Sequence, residues 1–118
     1  MQINWNNKEP IYLQLRDRLV ELIMDGDLTE GDALPSVRQI SSEQRINPIT
    51  VSKALQLLVD DGLVEKKRGL GMYVVNGARK QLAKQEREKF LHDEWPQIAE
   101  RIERLGLALD DLIGRDKN

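Results

Sequence analysis

Three consecutive cations, Lys66, Lys67 and Arg68, run directly into Gly69-Leu70-Gly71. Ammonium and guanidinium groups attract phosphates, and glycines let the backbone approach them closely, so this stretch suits contact with a polyanion. No grouping supports catalysis equally well. The single histidine, His92, is followed by Asp93 and Glu94, but consecutive residues point to different sides of a helix and do not converge on a metal. Gly69-Leu70-Gly71 is too short for a dinucleotide fingerprint and follows an expected strand without opening a helix. The chain has no cysteine, which excludes disulfides, thiol catalysis and cysteine-ligated metals. Neither an enzyme nor a resident cofactor or metal is expected.

The elements that must position the basic run are legible from breakers and apolar spacing between Leu34 and Val75. Ser36 followed by Gln39 is a capping-box pattern, so a helix starts at Val37, turns Val37, Ile40 and Ser41 inward and runs out near Gln44. Asn47 caps a second helix and Pro48 suits its first position. That helix, about fourteen residues long, buries Val51, Ala54, Leu55 and Leu58, and Gly62 stops it in the left-handed conformation. Opposite that stripe lie Ile49, Ser52, Lys53, Gln56 and Asp60, with Thr50 on the flank. The face is polar or cationic early and anionic late, as suits a helix whose N-terminal half enters a DNA major groove. Leu63 to Lys67 and Met72 to Val75 read as the strands of a glycine-tipped hairpin. Together these elements predict a mainly α fold with a small β-hairpin, a winged helix-turn-helix.

The segments EPIYLQL, LPSVRQIS, NPITVSKALQLLVDDGLVE and KKRGLGMYV resemble, in order and spacing, the GntR family of bacterial transcription regulators between Pro10 and Val75. The short remainder looks like the YtrA subfamily, whose members carry only a small helical dimerisation tail. The resemblance places the family's phosphate-binding arginine on Arg38, its recognition-helix threonine on Thr50 and its wing contacts on Arg68 and Gly69. Many members have arginine where this chain has Ser52, and a basic residue near Pro48. Those departures move the expected burden of base readout to Ile49, Thr50, Lys53 and Gln56. The candidate DNA-binding set is thus Ser36, Arg38, Asn47, Ile49, Thr50, Ser52, Lys53, Gln56, Lys67, Arg68, Gly69 and Gly71.

The remaining sequence frames this core. In 118 residues of 13.6 kDa, 40% are hydrophobic and 4% aromatic, which calls for one aliphatic core with an appendage. The net charge of −2 and pI near 5.5 argue against nonspecific coating of nucleic acid. Trp5 is expected to pack on the domain. Pro10 opens a helix that turns Ile11, Leu15, Leu19, Leu22 and Ile23 to one face and ends before Gly26. Residues 1–76 form the expected DNA-binding domain, and 77–118 a helical dimerisation tail. In the tail Trp95-Pro96 is expected to interrupt the helix. Ile98, Ile102, Leu105, Leu109 and Leu112 follow a four-three-four-three seam for a partner helix, and Phe90, Leu91 and Trp95 join them as candidate dimerisation residues. Packing of the seam within the chain is the alternative. Gly106 either sits inside this helix at about 1 kcal/mol or ends it; the sequence leaves both open. The expected protein is a cytoplasmic, homodimeric repressor on a palindromic double-stranded DNA operator, with room for an unidentified small-molecule effector and no membrane partner. The rival reading is a winged helix that binds protein instead of DNA.

Overall fold

The computed structural model describes residues 1–114; the last four residues of the expected tail lie outside it. Helix α1 spans Ile11–Asp25, α2 Val37–Gln44 and α3 Pro48–Asp60, followed by strands β1 (Val64–Lys67) and β2 (Gly71–Val74). The chain continues through α4 (Ala78–Lys89), a π-helical turn (Phe90–Glu94), α5 (Trp95–Leu105) and a single-turn α6 (Leu109–Leu112). Two compact units divide it, the first ending at Leu82.

Local chemistry sets the boundaries in the first unit. The Ser36 hydroxyl accepts the Gln39 N–H at 3.0 Å while the Gln39 side-chain carbonyl accepts the Ser36 N–H at 2.8 Å, a complete capping box. Asn47 Oδ1 accepts the Ile49 N–H at 2.8 Å, and Pro48, with no N–H to satisfy, opens α3. Gly62 (φ +75°) closes α3, with the Leu63 N–H reaching back to the Leu58 carbonyl. Pro10 is the residue before α1 rather than its first, and Gly26 (φ +86°) ends that helix.

The core joins Leu15, Leu19 and Ile23 of α1 to Ile40 of α2, Val51, Ala54, Leu55 and Leu58 of α3, and Leu63, Val64 and Val74 of the hairpin. Ala78 and Leu82 of α4 are buried in the same cluster, so the unit runs past residue 76. Trp5 is partly buried against it. Ile11, expected on the buried face, is 41% exposed. Its place is taken by Gln14, which is only 8% exposed because its amide bonds the backbone of Asn6 and Glu9. A side chain tied into the preceding loop is invisible to apolar periodicity.

The hairpin pairs Val64 with Val74 and Lys67 with Gly71 in an antiparallel register. The strand β1 is one residue shorter than expected, starting at Val64, and β2 is shifted by one residue, running from Gly71 to Val74. Residues 31–34, in the connection between α1 and α2, run along β2, with Gly31 N–H to Val74 O, Val74 N–H to Asp32 O and Leu34 N–H to Met72 O. Asp32 accepts the Thr29 N–H and hydroxyl, which holds its carboxyl below the ordinary carboxylate value.

In the second unit the expected break at Trp95-Pro96 is absent. Trp95 is helical (φ −58°, ψ −41°), and its N–H reaches Phe90 O across the π turn. Widening by one residue upstream accommodates a proline that can neither donate to the ladder nor tolerate the carbonyl four residues back. Gly106 (φ +67°) ends α5, and the Leu107 N–H bonds Ile102 O. Leu109 and Leu112 therefore lie on the separate α6, and the heptad is not one continuous helix.

Arg45 is the non-glycine residue with positive φ (+55°) among those described, at the position past α2 where glycine is the unstrained choice. Arg45→Gly is expected to raise stability in chemical denaturation by up to about 1 kcal/mol, and Arg45→Val to lower it.

Candidate nucleic-acid interface

Helix α3 is held by its buried stripe, so the side chains on the opposite face are fixed in direction. Ile49, Ser52, Lys53 and Gln56 are exposed there, and Thr50 is half-buried on the flank. Two of them have partners that the sequence did not announce. The Lys53 ammonium lies 4.3 Å from the ring centroid of Tyr12 on α1, a cation–π contact. The Gln56 amide donates to Asp60 at 2.9 Å one turn further on. Ile49, by contrast, is 76% exposed.

Beside α3, the start of α2 and the hairpin tip face each other across a groove lined by Ser36, Val37, Gln39, Lys67, Arg68 and Gly69, among others. Arg38, at the second position of α2, is exposed and forms no ion pair among the described residues. Lys66, Lys67 and Arg68 are exposed at the tip, where Lys67 also lies 4.6 Å from the Tyr73 ring centroid. Gly69 (φ +76°) and Gly71 (φ +112°) shape the turn, and a Cβ on either would meet open space. These glycines are required by conformation rather than by crowding within the protein. Ser36 and Asn47 spend their side-chain acceptors on capping.

The arrangement presents one helix for groove entry, flanked by cations from α2 and the hairpin, which is the geometry of duplex recognition. Arg45, which the sequence reading left out of the candidate set, is exposed in the turn between α2 and α3. No group of acids and histidine among the described residues could hold a metal ion, and His92 only pairs with Asp93 at the surface.

Residues 11–74 match the bacterial regulatory proteins of the gntR family. The chain belongs to the GntR family. Within it, the chain is 39% identical over 79 residues to the HTH-type transcriptional repressor YtrA of Bacillus subtilis (strain 168), covering 67% of this chain and 61% of YtrA. The uncharacterized HTH-type transcriptional regulator YhcF of the same strain is 26% identical over 113 residues, 96% of this chain and 92% of YhcF. Two solved structures are similar. A transcriptional regulator from Oenococcus oeni has a TM-score of 0.72 at 31% identity, covering 86% of this chain and 84% of its own. YtrA from Sulfolobus acidocaldarius, a GntR-family transcription factor, has a TM-score of 0.59 at 33% identity, covering 76% and 95%. This GntR protein is YtrA-like, a DNA-binding transcription regulator of a family that is not enzymatic.

If the tip is shaped by glycine conformation, replacing Gly69 and Gly71 together by valine should abolish most DNA affinity and lower the melting temperature by only a few degrees. Binding titration and thermal melting on one preparation check it. Retained affinity with a large loss of melting temperature would assign the glycines to the fold alone.

Proposed function

We propose that this GntR regulator is a cytoplasmic repressor that binds a palindromic operator as a homodimer. The observation that carries the dimer is the state of the second unit. None of its described residues is buried, while Phe90, Leu91, Trp95, Ile98, Leu105, Leu109 and Leu112 are all at least 39% exposed. Ile102 is half-buried. Ile98, Ile102 and Leu105 recur on one side of α5 by helical spacing, and the Phe90 and Trp95 rings meet in a tilted pair with centroids 6.4 Å apart. Covering a large apolar side chain is worth roughly 1.5 to 3 kcal/mol, and a second copy of the same face is the partner that is always present. Two-fold pairing implies a two-fold operator, with half-sites about 34 Å apart or a multiple of that.

In this reading α3 reads base edges from the major groove, and Arg38, Lys67 and Arg68 hold phosphates. Gly69 and Gly71 bring the wing's backbone to the duplex, while Ser36 and Asn47 hold the two helix starts at its surface. Repression is supported by the similarity to the Bacillus subtilis transcriptional repressor YtrA and by mechanism, since a dimer seated on a promoter obstructs polymerase without any further contact.

Arg38→Ala should weaken binding to specific and random duplexes alike, and lower the slope of log K against log salt by about one per protomer. An unchanged slope removes Arg38 from the phosphate contacts. Ile98→Asp combined with Leu105→Asp should give a chain that sediments as a monomer, with the melting of the first unit preserved. It should keep weak affinity for a half-site and lose the gain from the second half-site, commonly 100-fold or more in linked systems. A double variant that still sediments as a dimer would place the interface elsewhere.

A further inference from the structure

We infer that Ile49 selects thymine in the operator half-site by contacting its 5-methyl group. This rests on the operator reading above and deepens it, because it states what chemistry the first turn of α3 recognises. Ile49 is the first outward side chain of the helix, next to the Asn47 cap and Pro48, and is 76% exposed. The two longer polar side chains on that face are already engaged within the protein, Lys53 over Tyr12 and Gln56 with Asp60. What leads the helix is therefore a branched hydrocarbon, with only the short hydroxyl side chains of Thr50 and Ser52 beside it.

Along the major groove, thymine is the base that offers an apolar group; guanine, adenine and cytosine present donors and acceptors. A sec-butyl group set against those edges would strip water from them and return no hydrogen bond, which is unfavourable. Against thymine it covers a methyl group instead. Isoleucine is branched at Cβ and has few side-chain rotamers to give up, so the contact costs little order. Specificity at this position then comes as much from excluding polar edges as from attracting the methyl.

The test uses the full chain and a duplex recovered by selection from a random pool. Each thymine of the half-sites is replaced in turn by uracil, which keeps base pairing and removes only the methyl. For the parent, one half-site position should lose affinity about fourfold per replacement, or about fifteenfold with both half-sites changed. In Ile49→Ala that effect should vanish, and Ile49→Met, which retains a long apolar side chain, should keep part of it. A uracil penalty of equal size in the parent and in Ile49→Ala, or no penalty at any position, overturns the assignment while leaving the operator reading intact. If selection enriches no duplex over the random pool, the operator reading fails and Ile49's role fails with it.

Discussion

Burial of the inner stripe of α3 is the constraint on which the rest of the first unit depends. Val51, Ala54 and Leu58 are completely buried and Leu55 nearly so, packed against Leu15, Leu19 and Ile23 of α1 and Ile40 of α2. With 3.6 residues per turn, fixing that face inward fixes Ile49, Ser52 and Gln56 outward. The outward face of α3 in this GntR protein is thus a by-product of its core: the helix cannot rotate without lifting an aliphatic stripe into water.

Around that helix the exposed cations are placed by two different kinds of force. Arg38 is placed locally, one residue into a helix whose first residue is fixed by the reciprocal Ser36 and Gln39 bonds. The wing is placed at long range. Its β2 strand is clamped by β1 on one edge and by residues 31–34 on the other, so a two-stranded ribbon of marginal intrinsic stability gains a third partner. The basic tip projects from a base that is held on both sides.

The second unit follows a different logic. Its helical run passes through the π turn before Pro96 and is stopped by Gly106, yet it leaves large apolar side chains in water. A segment of this size has too little volume to surround such residues with its own chain. Secondary structure is complete there without the burial that normally accompanies it.

The two helices of the helix-turn-helix, the hairpin with its glycine tip, and the side of α3 that faces outward were all determined by sequence alone. Each rests on a signal that a single segment carries: Ser36 with Gln39, Asn47 with Pro48, the spacing of Val51, Ala54, Leu55 and Leu58, and the glycines at 62, 69 and 71. Tertiary structure decided what each segment meets. That Tyr12 would sit beneath Lys53, that residues 31–34 would extend the sheet, that Gln14 rather than Ile11 would occupy the inner face of α1, and that Ala78 and Leu82 would join the first core could not be read from spacing. Periodicity reports which face of an element is apolar. It carries no information about which distant element arrives to cover that face, or about the polar groups that arrive with it.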